Sequence, residues 1–541
     1  MEKIFRFVNS LIRNKSFIYI LLFMAVLPMF IFRDYGRVTE LRYMSIADEA
    51  LRNGDFFTFT NHGIDYADKP PLYFWIVMLG KVLLGTHSML FLGMFSLIPA
   101  LVIIFIMDKW VKNVVSETDR LSGQLMLITS GVFIFSALVM RMDMLMCMFI
   151  VLSLYTFFKI YTGEGKPRDG YLFPLYVFMA IFSKGPVGIL VPLISTVVFL
   201  LVRGKIKTTG RYWGWRTLSV LLVCLGIWFL GVYMEGGTKY LDNLLFNQTV
   251  NRAVDSFHHK EPIYYYLNVI WYLLAPWSLL YIGILIMGFK KRFIETDLEC
   301  FFVVIALSTF IMLSLVSAKI EIYMLPALPF FAYITVLWLR KFNSLKWLFY
   351  LVGIPAFIIA LALPAIIVAE RFTDFPLYLI PFQIAALILT IAGVCSVVSL
   401  YRNKLNLGIF FIAAGILLMF FSVSFALPKL NKYIGMRELC LTAKNYATQK
   451  NIQNYYFFYI SRFENTDVYL GTEPKMISEK ELVENWKPGN SAVTDISSTS
   501  GIRTPAILFI REKDIARNAK LSGFIEGREK YAVGKYFFVI L

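Results

Sequence analysis

The chain has 541 residues, 58% of them hydrophobic and 16% charged, with a mean hydropathy of +0.65. No soluble fold of this length hides so much apolar surface, so lipid must solvate much of it. The net charge of +17 sits in short links such as "KKRF", "RGKIK" and "LRKFNSLK", which excludes a nucleic-acid-binding stripe and reads as positive-inside patterning, while the five scattered cysteines form no disulfide framework or CxxC metal spacing.

The first apolar run, 17–32, follows Lys3, Arg6, Arg13 and Lys15 and has no small-residue cleavage site after it. It reads as an uncleaved first span with a cytoplasmic N-terminus. Further runs follow at 88–108, 123–140, 144–161, 171–183, 187–202, 216–234, 264–288, 300–316, 321–339, 347–368, 378–400 and 407–427. They predict a mainly α, polytopic membrane protein of about 13 transmembrane helices. Every link assigned to the cytoplasm is basic: Lys109/Lys112, Lys159/Lys166/Arg168, Arg203/Lys205/Lys207/Arg211, Lys290/Lys291/Arg292, Arg340/Lys341/Lys346 and Arg402/Lys404. An odd number of spans leaves the C-terminus outside. The predicted domains are a transmembrane one, 1–427, and a small extracytoplasmic α/β one, 428–541. In the latter, "YYFFYI", "AILFI" and "KYFFVIL" read as strands and "MRELCLTAKNYATQ" as a helix.

The outer links gather the residues able to do chemistry. Loop 33–87 carries "RVTELRYMSIADEALRNGDFF", where Leu41, Met44, Ile46 and Leu51 give a helix lying on the membrane surface and Gly54 ends it. Glu40 at its start is either a favourable helix-start carboxylate or a general base. In "YADKPPLYFW", Asp68-Lys69 is either a solvated pair or a lysine held at headgroup depth by the stiff Pro70-Pro71 corner, with "YFW" as interfacial anchor. Arg141 and Asp143 form a snorkelling pair or a functional boundary acid with its partner. "SKGPVG" offers Lys184 to an anion. His258-His259 in "FHHKEP" are structural, metal-ligating or basic. Lys319 and Tyr323, four apart, are expected on one helix face. No Gly-rich nucleotide loop is present, so an activated donor would already sit in the lipid.

Together, "TELRYMSIADEAL", "DKPPLYFW", "RMD", "SKGPVG", "HHKEPIYYYL", "APWS" and "SAKIEIYMLPALP" resemble, in order, the landmarks of GT-C type integral-membrane glycosyltransferases. The likeness is nearest to bacterial lipid A 4-amino-4-deoxy-L-arabinose transferases and protein O-mannosyltransferases. Many members carry two consecutive acids where this chain has Thr39-Glu40. The resemblance implies a GT-C fold in a bacterial inner membrane. It also implies transfer of a sugar from a polyprenyl-phosphate-linked donor to a lipid, glycan or protein acceptor at the periplasmic face, with inversion. It places catalytic carboxylates at Glu40 and Asp143 and donor-phosphate contacts at Lys69, Lys184, Arg252 and Lys319. A divalent metal, zinc or magnesium, is implied at Asp68 and His259, with no nucleotide cofactor. The rival is a polytopic transporter or flippase for a lipid-linked sugar, which predicts inverted repeats and midplane charges instead of acids gathered at one face.

Overall fold

A computed structural model of the protein describes residues 15–245, 260–342, 346–373, 375–485 and 505–541. Among these, seven helices are long and apolar enough to cross a membrane, or ten if each of three bent pairs is one span. The chain is thus a mainly helical, multi-pass membrane protein. The thirteen expected runs all fall on helices, but not all are full straight crossings. The Asp169–Lys184 helix has 16 residues; at 1.5 Å per residue it is about 24 Å long, short of a hydrocarbon core of about 30 Å. Leu72–Leu84 is a further apolar helix inside the stretch expected as an outer loop.

Two of the bent pairs explain each other. Glu117–Ile128 and Gly131–Leu138 bend by 65°, and Tyr265–Leu273 and Ser278–Lys290 by 119°. The breaks meet: Gly131 N–H donates to the Ala275 carbonyl (2.9 Å), and the Trp277 indole N–H donates to Thr129 Oγ1 (2.9 Å). Broken backbone survives at membrane depth only when protein satisfies it, and here each break supplies the other. Elsewhere small residues let helices approach closely. A side chain at Gly393 would strike the backbone of Ala356 and Ala360, and one at Gly288 the ring of Trp338. The Trp215–Asp242 helix instead exposes Leu218, Leu222, Ile227 and Leu230, an apolar surface suited to lipid.

The chain divides into two compact units. One comprises Met1–Ile31, Ala67–Tyr73 and Leu90–Phe425; the other comprises Phe32–Tyr66, Phe74–Met89 and Ala426–Leu541. In the second unit, β1 (Thr60–Asn61) and β2 (Ile64–Asp65) form an antiparallel hairpin. Strands β3 (Asn454–Phe457), β4 (Lys475–Met476), β5 (Ala506–Arg511), β6 (Lys530–Val533) and β7 (Tyr536–Ile540) make a sheet ordered β4-β3-β5-β7-β6. β3 runs parallel to β4 and β5; β7 runs antiparallel to β5 and β6. The three segments expected as strands are β3, β5 and β7, and the expected helix is Arg437–Lys450. Alternate residues of the sheet, among them Leu508 and Ile510, pack on Phe524 and Leu521.

The Glu40–Asn53 helix ends as expected, at Gly54 with φ 81°. Its surroundings differ from those of a helix lying on a membrane. Leu51 is only half-buried, whereas Glu40, Tyr43 and Ser45 are buried. The C-terminal segment covers that side: Ser45 donates to Asp467 (2.9 Å). The "YFW" residues are likewise not simple interfacial anchors. Tyr73 and Phe74 are fully buried, Phe74 among Tyr43, Phe59 and Tyr66.

Candidate active site

In the first unit, the helices Asp143–Thr162 and Asp169–Lys184 form an antiparallel hairpin. The fold-back sets the start of one beside the end of the other. A helix start favours an anion and a helix end a cation, and the sequence puts Asp143 and Lys184 at those ends. Gly185, at φ 106°, lets the chain leave the helix immediately after Lys184.

Asp143 is almost wholly buried and ion-paired on both oxygens. Lys184 Nζ meets Oδ1, and Arg141 Nε donates to Oδ2 at 3.0 Å. Lys184 also lies over the Tyr323 ring, 4.4 Å from its centroid. The Lys184 side chain is 6% exposed and that of Arg141 25%. Two cations flank one carboxylate, and Arg141 is the more exposed of them. Lys184 is directed into the carboxylate and the aromatic ring.

Lys69 is half-buried and donates to the Asp68 carbonyl (3.1 Å); Asp68 is half-buried beside it. Lys319 is buried and donates to the Glu261 carbonyl (2.8 Å). Burial pulls its ammonium pKa below the usual range, with Glu261 partly offsetting this. The strand-like stretch before Glu321 is held by a bridge between Lys260 and Ala318 and by Tyr266 O–H donating to the Ile320 carbonyl (3.1 Å). Lys319 and Tyr323 therefore do not share a helix face. Ile320 is extended, and Glu321–Ala327 is a 3-10 helix that starts only after it.

In the second unit, Glu40 is buried and held bidentate by Arg33, with N···O distances of 2.8 and 2.7 Å. The Gly36 N–H adds a third bond at 2.6 Å. Both donors lie in "RDYGR", directly after the first apolar run, a charged string whose role needs the fold to see. Asp34 in the same string accepts from the backbone N–H groups of Met436 (3.0 Å) and Arg437 (2.9 Å) and from Tyr469 O–H (2.6 Å). Asn431 completes the clasp: its side chain accepts from Asp34 N–H (3.1 Å) and donates to the Phe32 carbonyl (2.8 Å).

Arg252, His258 and His259 lie outside the described residues. Among the described residues no three His, Cys, Asp or Glu side chains converge in a way that would hold a metal ion.

A family model described as dolichyl-phosphate-mannose-protein mannosyltransferase matches residues 68–229, the stretch that carries Asp68, Lys69, Arg141, Asp143 and Lys184. An uncharacterized protein of Aquifex aeolicus (strain VF5) is 28% identical over 357 residues, covering 63% of this chain and 68% of that protein. The undecaprenyl phosphate-alpha-4-amino-4-deoxy-L-arabinose arabinosyl transferase of Edwardsiella ictaluri (strain 93-146) is 24% identical over 293 residues, covering 53% of this chain and 52% of the relative. The chain thus spans about half the length of the arabinosyl transferases it matches. The crystal structure of ArnT from Cupriavidus metallidurans bound to undecaprenyl phosphate superposes with a TM-score of 0.73 at 16% identity, covering 97% of this chain and 98% of that one. The chain has the GT-C glycosyltransferase fold and resembles the ArnT and O-mannosyltransferase enzymes.

Proposed function

We propose that the chain is a glycosyltransferase that moves a sugar from a polyprenyl-phosphate-linked donor to a lipid, glycan or protein acceptor at the periplasmic face of a bacterial inner membrane. The observation that carries this reading is the buried Arg141–Asp143–Lys184 cluster within the stretch matched by the mannosyltransferase family model. The relatives named as arabinosyl transferases support a lipid-linked pentose donor, and the family model supports a hexose and a protein acceptor; lipid A as acceptor rests on the sequence resemblance.

The reaction is a single displacement. A carboxylate, Glu40 or Asp143, takes the proton of the acceptor's hydroxyl or amine. The freed electron pair attacks the anomeric carbon as the bond from that carbon to the phosphate oxygen breaks. Polyprenyl phosphate leaves with the bonding pair, and the anomeric centre inverts. The leaving group is already stable as an anion, so fixed positive charge serves it better than a proton donor. Lys69 supplies that charge, with Arg252 as a further contact. Lys184 and Lys319 act through the groups they hold, Asp143 and the Glu261 carbonyl. The implied zinc or magnesium ion is part of the same proposal: Asp68 and His259 would hold it, and it would neutralise charge on the leaving phosphate. No step here is routed through it.

The test is purified full-length protein with undecaprenyl-phosphate-linked aminoarabinose or mannose and a panel of lipid A and peptide acceptors. Release of polyprenyl phosphate with a glycosylated acceptor is the expected result. Glu40→Gln or Asp143→Asn should lower turnover about a hundredfold or more while donor binding persists. Lys69→Ala should lose donor binding. Movement of intact donor across liposomes without cleavage would make the protein a flippase instead.

A further inference from the structure

A cavity of about 570 Å³ lies within the first unit, where the Glu117–Ile128 and Leu405–Ser424 helices begin and the Leu328–Leu339 helix ends. None of the candidate catalytic residues lines it. Its helix ends adjoin the basic links at 109–112, 340–346 and 402–404, which the positive-inside rule puts at the cytoplasmic surface.

The lining changes character along each helix. Thr118 at the start of one helix gives way to Leu125, and Lys404 before another gives way to Phe410. Six or seven residues of helix span about 10 Å, so the cavity runs from a polar mouth to an apolar interior. That gradient fits an amphiphile better than a soluble anion.

At the mouth, Arg340 pairs through Nε with the buried Asp119 and donates to Ser116 Oγ (2.5 Å). Asp119 is fully engaged: Asn406 donates to its other oxygen (2.9 Å), and Ser116 also donates to it (2.7 Å). The acid therefore orients the guanidinium and does not present bare negative charge. Arg340 has five N–H groups, its side chain is 62% exposed, and Lys404 stands at the same mouth.

We propose that this cavity seats an anionic phospholipid, with its phosphodiester against Arg340 and Lys404 and the first methylenes of its acyl chains against Leu125 and Phe410. Basic pockets between helices at this surface suit such headgroups, each basic side chain contributing about 1 kcal/mol.

The experiment measures lipid retention, so it stands or falls independently of sugar transfer. Full-length protein is titrated with phosphatidylglycerol or phosphatidylcholine and followed by native mass spectrometry. Wild type should retain phosphatidylglycerol in preference. Lys404→Gln should weaken that retention about fivefold, and Leu407→Trp, which fills the cavity, should weaken both lipids. Lipid-free melting temperatures near wild type would show that both variants fold. Inorganic phosphate at matched concentration should not compete. Equal retention of the two lipids by wild type, an undiminished preference in Lys404→Gln, undiminished retention in Leu407→Trp, or displacement by inorganic phosphate would each overturn the proposal.

Discussion

Asp143 and Lys184 are 41 positions apart, yet each is legible in the sequence as a charge at the edge of an apolar run. Their meeting is not legible, because it depends on two helices of nearly equal length folding back on each other. The same limit hid Arg33, which becomes Glu40's partner only once the helix start is placed. The buried pair makes a sharp prediction. Lys184→Met removes the more buried of the two cations on Asp143 and leaves the carboxylate to the more exposed Arg141, at a cost of up to about 3–5 kcal/mol. Adding Asp143→Asn to that variant removes the buried carboxylate that has lost its closest cation. The double variant should melt closer to wild type than Lys184→Met while remaining inactive. Thermal unfolding in detergent, run beside the transfer assay, checks both halves. If the double variant melts no higher than the single, the pair is not the source of the loss.

Between elements, the Asp34 clasp shows how a loop after the first span shapes the far end of the chain. The Arg437–Lys450 helix has no side-chain cap of its own; Asp34 receives the N–H groups at its start and supplies a carboxylate where a helix favours one. Gly435 permits this, since a methyl group there would collide with the Asp34 carboxylate. Gly435→Ala should cost about 1–3 kcal/mol and expose Ala426–Leu541 to limited proteolysis. Further along, the Glu40–Asn53 helix carries Asp48, held by His87 (2.8 Å) and Lys81 (3.3 Å), and Glu49, which accepts from Thr60 (2.5 Å) and from the N–H groups of His62 and Gly63. Burial alone would raise both acids, but these partners outweigh it and hold them below the carboxylate range. Asp467 is the opposite: burial raises it, and neighbouring Asp48 adds to that despite His62 and Ser45. Asp48 and Glu49 therefore contribute stability above the ordinary carboxylate range, lost as pH falls through their depressed values. Asp467 contributes below that range, and its contribution is lost as pH rises through its raised value. Asp467→Asn should flatten the decline of this unit's stability as pH rises above the ordinary carboxylate value of about 4, read by hydrogen exchange in the Glu40–Asn53 helix. An unchanged pH profile would remove Asp467 as its source. Sequence periodicity gave this helix and its glycine stop, but put Leu51 on an apolar face against the membrane and missed Ser45. Only the covering segment, some 420 residues later, decides that side.

For the whole molecule, the apolar runs and basic links were readable because lipid imposes its demand on each stretch separately. The bends at 129–130 and 274–277 were not, because the bonds that tie each break to the other join residues far apart in sequence. The charge pattern also fixes an expectation of sidedness: a reporter fused after Leu541 should read out as external, and a cytoplasmic signal would put the proposed catalytic loops on the wrong side of the membrane. The clasp bears on how the protein is made. Asp34 finds its partners 402, 403 and 435 positions later, and Arg37 reaches Tyr536 O–H 499 positions on. A chain emerging from the ribosome in order inserts its spans long before those partners exist, and contacts so distant in sequence form last. The loop that holds Glu40 must then wait, half assembled, until residues 426–541 have been translated. A chain cut short between Phe425 and the sheet yields the full set of membrane helices with an unfinished Glu40 loop, so completion of synthesis itself becomes the condition for building this part of the proposed site.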